Sequence, residues 1–328
     1  LKSLQQLLDS AGVPRERIAV FNADGSDPEV DLATREGVLP RDFWLLPNGV
    51  ARALRPPIEY VDSRIEGFAL QPATHAALER WFDGTGKQLA TGDTLLFYVT
   101  DHGEKNGEDP EANTISLWGE TLSVSELRGL LARLDPGVRV VMLMSQCFSG
   151  GFASLSVPGG SEALPAGNVC GYFSATAERK AAGCYPEVSG KDAVGHSHKI
   201  FAALAQGLRL PEAQREVLVS DATPDVPLTS TSVFLEQRLQ EAAARGGHER
   251  AQFVDELLLQ ALREPLAWER EIRLLDRIGQ AFGFASPRSL AGFETQVEGL
   301  SEVRGLLSNY AKAWERALDA LRRENLAA

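Results

Sequence analysis

Two runs of apolar residues, each as long as a buried strand, constrain the fold of this chain more than any other feature. Residues 94–100 read TLLFYVT and residues 138–144 read VRVVMLM. Neither run alternates between apolar and polar positions, so both predict strands that are covered on both faces. Between them, Ser123 and Glu126 have the spacing of a capping box, which predicts a helix over 124–134. A strand, a helix and a second strand in this order are typical of parallel strands joined by a crossover helix.

The remainder of the first two-thirds of the chain continues this alternation of strands and helices. Residues 22–72 are rich in Pro, Gly and Asp and show little periodicity, so we expect a long surface excursion there. Elsewhere, local patterns predict helices and short strands: helices over 1–12, from Pro72 onward and over 199–208, and strands over 17–21, 114–118 and 168–176. The predicted fold class is therefore α/β, with a mostly parallel central sheet sandwiched between helices.

The character of the chain changes after about residue 231. From there onward the pattern predicts no strand, and apolar residues recur at helical spacing in four segments, 232–245, 249–263, 266–282 and 299–323. Three prolines cluster within 211–230, which favours a boundary there. We therefore predict a first domain over 1–215 and an all-helical region over 216–328. That region is expected to be either a structural pack or a module that binds a regulatory partner.

Charge, apolar content and cysteine count indicate which binding partners and which cellular compartment we expect for this protein. The chain carries 33 basic and 45 acidic residues, a net charge of −12, which favours neither nucleic acid nor an anionic membrane surface as a partner. No stretch approaches the roughly 20 apolar residues that span a bilayer, and no signal-peptide pattern opens the chain. Three cysteines make no disulfide framework in 328 residues. We expect a cytoplasmic protein whose natural N-terminus is missing, because the chain begins with Leu1 rather than Met.

Two chemically reactive side chains follow the two best strands. His102 lies in Thr-Asp-His-Gly after the first strand, and Cys147 lies in Ser-Gln-Cys-Phe-Ser-Gly-Gly after the second. The carboxyl ends of parallel strands share one edge of a sheet, so we expect the two side chains to meet there. Imidazole is a base that can draw a proton from a thiol, which makes Cys147 a candidate nucleophile and His102 its candidate base. The backbone N–H groups of Gly103 and Cys147 are candidates for an oxyanion hole.

These motifs carry a resemblance to a known family. The pattern of strand, Thr-Asp-His-Gly, second strand and Cys-x-Ser-Gly resembles the legumain-type cysteine peptidases, which share a fold with caspases and metacaspases. The likeness covers residues 1 to about 210. It includes Phe173–Ala177 and Gly183–Tyr185, which look like the strand and the segment that line the family's primary specificity pocket.

The resemblance implies a caspase-like fold and a cysteine endopeptidase that acts on protein or peptide substrates. Cys147 would attack the peptide carbonyl, His102 would protonate the leaving amine, and water would hydrolyse the thioester, with neither a metal nor an organic cofactor. Two alternatives stay open. The first is a catalytically silent binding or scaffold protein that keeps the fold, and the second is a cysteine transamidase that uses the same dyad.

The chain also departs from that family in ways that bear on specificity. Relatives that select Asn or a basic residue carry an acidic residue two positions before the nucleophile, where this chain has Ser145. Ser145, Ser174 and Asp192 are candidate substrate-binding residues, without a predicted preference. The family begins with a strand ahead of its first helix, whereas this chain begins at the helix. That difference, the 22–72 excursion and the 211–230 linker together predict a zymogen activated by proteolysis.

Two further groups of residues have open interpretations. Cys184, His196 and His198 are of the types that bind zinc, but their spacing matches no standard structural site, and we predict no metal. The segment 104–111, just after His102, carries four acidic residues, Glu104, Glu108, Asp109 and Glu111. This segment is expected to be a solvated loop, with calcium regulation or recognition of a basic substrate as the alternatives.

Overall fold

The computed structural model of the chain describes residues 2–34, 58–157, 167–181, 196–220, 225–263, 269–283, 285, 289–296 and 298–299. The chain divides into two compact units. One comprises Leu1–Gly37 and Pro56–Gln237, and the other comprises Val38–Arg55 and Arg238–Ala328. This division lies further along the chain than the predicted boundary at 215/216. The candidate catalytic residues all belong to the first unit.

The described helices and strands have the following bounds. The helices are α1 (Lys2–Ser10), α2 (His75–Asp83), α3 (Val124–Leu131), α4 (His196–Ala205), α5 (Leu210–Ser220), α6 (Ser230–Gly246), α7 (Arg250–Arg263) and α8 (Glu269–Phe282). The strands are β1 (Val20–Phe21), β2 (Leu32–Thr34), β3 (Glu59–Val61), β4 (Leu70–Gln71), β5 (Thr94–Val99), β6 (Gly103–Glu104), β7 (Thr114–Ser116), β8 (Thr121–Ser123), β9 (Arg139–Met144), β10 (Val169–Phe173) and β11 (Leu228–Thr229).

A four-stranded sheet lies at the centre of the first unit, with the spatial order β11-β10-β9-β5. β5, β9 and β10 are parallel to one another, and β11 pairs antiparallel with β10. The prediction of an α/β fold with a mostly parallel central sheet is therefore confirmed. The return of the chain to this sheet at Leu228–Thr229 lies within the segment that the sequence assigned to the all-helical region.

Helices cover this sheet on both faces. Successive side chains of a strand point to opposite faces, so they enter two different cores. Met142 and Met144 of β9 pack in a core with residues of α2 and α3, among them Phe82 and Leu127. Leu143, between the two methionines, packs in a second core with residues of α1, α4 and α5, namely Leu4, Ile200, Phe201, Ala213 and Val217. Burial on both faces explains why the VRVVMLM run has no regular polar alternation.

Three smaller sheets flank the centre, and they correct several expectations. The strand predicted over 114–118 is the shorter β7, which joins β6 and β8 in an antiparallel sheet rather than the central one. The buried strand predicted over 17–21 is only the two-residue, half-buried β1, which pairs with β4. The 22–72 excursion contains β2, β3 and β4, and its residues 35–57 lie outside the described part of the chain.

The capping prediction for α3 is confirmed. The Ser123 hydroxyl accepts from the Glu126 N–H at 3.3 Å, and the Glu126 carboxylate accepts from the Ser123 N–H at 2.7 Å. The helix ends at Leu131, three residues earlier than expected. The helix expected from Pro72 instead begins at His75, because the side chain of Thr74 provides its N-cap.

The predicted helices over 232–245, 249–263 and 266–282 correspond to α6, α7 and α8, and the segment 299–323 lies almost wholly outside the described residues. Within the described part of the chain, no helix combines the length and the apolar character needed to cross a membrane.

Candidate active site

The two candidate catalytic residues follow strands that end at the same level of the central sheet. Val99, the last residue of β5, is in register with Met144, the last residue of β9. The pairing continues beyond them, since the Ser145 N–H donates to the Val99 carbonyl at 2.9 Å. His102 and Cys147 are each the third residue after their strand. The register therefore delivers both residues to one level of the carboxyl edge, as the sequence predicts.

Gly103 brings the histidine segment into direct contact with the cysteine backbone. A Cβ atom at this position would overlap the carbonyl oxygen of Cys147 and would lie 2.8 Å from Cγ of Gln146. Only glycine fits such an approach without a shift of the backbone. The residue next to His102 therefore packs against Cys147 itself, which is closer than the strand register alone requires.

His102 and Cys147 differ in their surroundings. His102 is exposed; its N–H donates to the Asp101 carboxylate at 2.6 Å, and its carbonyl accepts from the Ser116 N–H at 3.0 Å. Cys147 is half-buried, and its Sγ lies 3.9 Å from the Ala181 carbonyl oxygen. Among the described residues, no acceptor takes the N–H of Cys147. This donor is therefore available to the oxygen of an acyl-transfer intermediate.

The chain reverses sharply at the residue after Cys147. Phe148 has φ 58° and ψ 19°, in the left-handed region that L-residues other than Asn and Asp seldom adopt. Both of its backbone polar groups are held. Its N–H donates to the Arg179 carbonyl at 2.8 Å. Its carbonyl accepts from Nδ2 of Asn113 and from the Gly151 N–H, each at 3.2 Å.

The two glycines that follow serve close packing. A Cβ on Gly150 would lie 2.6 Å from the Ala177 nitrogen, and one on Gly151 would lie 2.5 Å from the Pro110 carbonyl oxygen. Neither has a positive φ. Phe148, and neither glycine, therefore adopts the left-handed conformation, and the two glycines let other segments approach.

Ser145 and Ser174 lie side by side at the carboxyl edge. Phe173 of β10 is in register with Met144, and the Ser174 N–H donates to the Met144 carbonyl at 2.9 Å, so the two serines are the next pair. Both hydroxyl oxygens are buried and have no hydrogen-bond partner among the described residues. The structure therefore brings together two of the three candidate substrate-binding residues. Asp192 lies outside the described residues.

His196, one of the residues considered as a zinc ligand, contacts other groups of the protein. Nδ1 of His196 lies 2.9 Å from the Ser174 carbonyl oxygen and 3.3 Å from the Asp225 carboxylate, and both side chains are completely buried. Cys184 lies outside the described residues. Within those residues, no group of three or more His, Cys, Asp or Glu side chains is arranged to hold a metal ion.

The acidic segment after His102 is partly neutralised by basic residues. Glu111 makes two hydrogen bonds with the Arg128 guanidinium, at 2.6 and 2.7 Å, and these lower the pKa of the Glu111 carboxyl below its ordinary value. Arg128 also donates to the Ser154 hydroxyl at 3.3 Å. The Glu108 carboxylate lies 3.3 Å from the Lys105 ammonium. The first pair links α3 to the segments that follow both candidate catalytic residues.

Sequence reasoning missed Asn113 and Gln146. Asn113 is fully buried, and its Nδ2 donates to carbonyls of two separate segments. Gln146 is 1% exposed, and neither polar atom of its amide has a partner among the described residues. The one available signal was the position of Gln146 within the nucleophile motif, because nothing local marks an asparagine that acts at a distance of 35 residues.

Comparison with known protein families finds no matching family, and no curated protein matches the chain. Solved structures do show similarity. One is the crystal structure of the protein GSU0716 from Geobacter sulfurreducens, which is 18% identical over 50% of this chain and 77% of that chain, with a TM-score of 0.34. A similarity of this extent supports no statement about fold or function.

Proposed function

We propose that this chain is a cysteine endopeptidase with a caspase-like fold, in which Cys147 is the nucleophile and His102 is the general base. The observation that carries the proposal is the contact of Gly103 with the backbone of Cys147. This contact joins the two motifs at a place where the strand register already sets them level. A cysteine and a histidine that served only as packing residues would not need to lie at the same edge of the sheet. Nor would they need a glycine at position 103 to bring their backbones into contact.

The chemistry follows from the roles of these groups. His102 takes the proton of the Cys147 thiol, and the thiolate attacks the carbonyl carbon of the substrate to form a C–S bond. The N–H groups of Gly103 and Cys147 donate to the resulting oxyanion. The C–N bond then breaks, and the His102 imidazolium gives its proton to the leaving amine.

Water completes the cycle. His102 takes a proton from water as the oxygen adds to the thioester carbonyl, and the C–S bond breaks to release the carboxylic acid. The departing Cys147 sulfur recovers the proton from His102, so that the dyad returns to its starting state. Each proton that leaves one group is received by another within the site.

Ser145 and Ser174 are the proposed substrate-binding residues of this site. Their neighbouring positions at the carboxyl edge and their buried hydroxyls support a role beside the nucleophile. Neither side chain is charged, and no preference for a basic or acidic substrate residue is proposed on them. Activation of a zymogen by proteolysis is part of the proposal and rests on the sequence alone.

The proposal is tested by incubating the protein with a peptide library and identifying products by mass spectrometry. Wild type, Cys147→Ala, His102→Ala and Cys170→Ala are compared at equal concentration. We expect cleavage at a defined residue in wild type and in Cys170→Ala, and a loss of about 10³-fold or more in the other two variants. Equal cleavage by wild type and Cys147→Ala would overturn the proposal.

A further inference from the structure

Asn113 connects three segments of the first unit through one buried amide. It immediately precedes β7, and its side chain is inaccessible to solvent. Nδ2 donates to the Phe148 carbonyl at 3.2 Å and to the Ala177 carbonyl at 2.9 Å. The first carbonyl belongs to the turn after the nucleophile, and the second belongs to the segment after β10. One NH₂ group therefore ties both segments to the strand that follows the histidine loop.

The two acceptors fix the orientation of the amide. Oδ1 of Asn113 is buried and has no partner among the described residues. The opposite orientation of the amide would place this oxygen against two carbonyl oxygens, which repel it. A buried acceptor without a partner is destabilising in itself. The donors of Asn113 are therefore the part of the side chain that the surrounding structure uses.

The unfavourable conformation of Phe148 is held from outside the turn, because its carbonyl accepts from Nδ2 of Asn113 as well as from the Gly151 N–H within the turn, each at 3.2 Å. The left-handed conformation is unfavourable for an L-residue, and it persists only where its surroundings hold it. Arg179 accepts the N–H of Phe148, and Asn113 donates to its carbonyl. This conformation turns the chain immediately after Cys147, whose N–H has no acceptor among the described residues.

The packing around Asn113 is tight on the side that faces Gly151. A Cβ at Gly151 would lie 2.8 Å from Nδ2 of Asn113. Glycine at this position therefore leaves the space that the amide occupies. The available space fits the side chain of Asn113. The Phe148 and Ala177 carbonyls that border this space each accept an N–H of its amide.

We propose that Asn113 is a positioning residue for acyl transfer. By donating to the Phe148 carbonyl, it holds the turn that aims the Cys147 N–H at the oxyanion. It acts through Phe148, and no contact with substrate is assigned to it. This inference rests on the proposed function, since a role in acyl transfer presupposes that Cys147 is the nucleophile.

The test uses Asn113→Asp, which keeps the size of the side chain and replaces both N–H donors by an acceptor. The chain offers a control in Asn168, which is half-buried whereas Asn113 is fully buried. Nδ2 of Asn168 also donates to two backbone carbonyls, those of Pro136 at 3.2 Å and Val138 at 3.3 Å, at the opposite, amino-terminal end of β9 and β10. Asn168→Asp therefore reports the cost of losing two such bonds away from the site.

Three properties are compared in wild type, Asn113→Asp and Asn168→Asp. These are the kinetics of peptide cleavage, the affinity for a peptidyl aldehyde, whose reversible addition to Cys147 forms an oxyanion, and the rate of alkylation of Cys147 by iodoacetamide, which forms none. We expect Asn113→Asp to lower kcat and aldehyde affinity at least tenfold, with KM and alkylation changed less than about threefold. Asn168→Asp should leave all of them near wild type. An equal fall in cleavage and alkylation, or no fall at all, overturns the inference.

Hydrogen exchange separates failure of this inference from failure of the proposed function. If wild type neither cleaves peptides nor binds the aldehyde, the proposed function fails, and the role in acyl transfer falls with it. The placement of the turn is still decided by amide exchange in the peptide that contains 145–151. Faster exchange there in Asn113→Asp, but not in Asn168→Asp, supports the inference that Asn113 holds this turn in place. Unchanged exchange overturns it, whatever the activity.

Discussion

The two halves of the candidate site are built in different ways. The nucleophile turn, residues 145–151, is held by side chains and backbone of neighbouring segments, through Asn113, Arg179 and Ala175. The histidine loop, residues 101–109, is exposed at every position except Gly103. Its backbone is anchored mainly at its start, where β6 pairs with β7.

This difference fits the demands that the proposed acyl transfer would make on each half. Oxyanion donors are effective when they are fixed before the reaction, since they then need no reorganisation. A base needs access both to the thiol and to the leaving amine, and an exposed position provides that access. The structure therefore concentrates its constraints on the nucleophile turn, and Gly103 is the point where the two halves touch.

The contact at Gly103 is the most sensitive point of this comparison. Gly103→Ala forces the two halves apart, and we expect activity to fall about 10²-fold, because misplacement by about 1 Å has effects of this size. The free energy of unfolding should fall by roughly 1–3 kcal/mol. Gly129→Ala is the control, since a Cβ there meets no atom within 4 Å. That variant should be more stable by about 0.5–1 kcal/mol. Similar losses in both variants would contradict the contact.

The second prediction compares one side chain from each half. Ser149 is completely buried, and its hydroxyl donates to the Ala175 carbonyl at 3.3 Å and accepts from the Ala175 N–H at 3.2 Å. Ser149→Ala leaves both groups of Ala175 without this partner and should cost about 1–3 kcal/mol.

Asn106 is its counterpart in the histidine loop, where its Nδ2 donates to the Ala112 carbonyl at 3.1 Å and to the Thr114 hydroxyl at 3.3 Å. Asn106 is exposed, so Asn106→Ala should cost about 0.5 kcal/mol, because water replaces the lost bonds. Denaturant unfolding of the two variants measures the difference. A larger loss of unfolding free energy in Asn106→Ala than in Ser149→Ala would show that the histidine loop, and not the nucleophile turn, is the more rigid half.

The smallest effect concerns the ion pair of Arg128 and Glu111, which links α3 to the segment directly after the histidine loop. Hydrogen bonds from Arg128 hold the pKa of Glu111 below its ordinary value of 4.5. The contribution of the pair is therefore fully present above about pH 4.5 and is lost as pH falls through the lowered pKa. Both side chains are more than a third exposed, so we expect only about 0.5 kcal/mol.

Glu111→Gln should thus be less stable than wild type at pH 7, and the difference in Tm should shrink below pH 4.5. Glu108→Gln is the control, since the Glu108 side chain is 97% exposed. This variant should match wild type at all pH values. A difference for Glu111→Gln that grows on acidification would show that the sign is wrong.

The sequence predicts the parts of the site that depend on local pattern. The apolar runs locate β5 and β9, and the Ser123–Glu126 spacing locates the start of α3, because burial on both faces and helix capping act over a few residues. Parallel pairing then places His102 and Cys147 at one edge. The strand register, which sets them at the same level, follows from structure rather than from pattern.

What escaped prediction depends on contacts between distant segments. Phe148 carries no local signal for a left-handed conformation, since Gly150 and Gly151 are the residues that such a turn ordinarily favours. Asn113 acts on a carbonyl 35 residues away, and β11 joins the sheet from a proline-rich segment. Such features are set by tertiary packing, which the spacing of neighbouring residues does not record.

The central claim, that Cys147 is a nucleophile activated by His102, is tested most directly by covalent labelling within the same chain. Cys170 is a built-in reference: it is a free, exposed thiol, and desolvation by its neighbours raises its pKa above the ordinary value of 9.0. A peptidyl chloromethyl ketone is added at pH 7, and tandem mass spectrometry maps the adduct. We predict labelling at Cys147 that is lost in His102→Ala, with Cys170 unmodified in both proteins. Equal labelling of the two cysteines, or labelling of Cys147 that survives His102→Ala, would contradict the account.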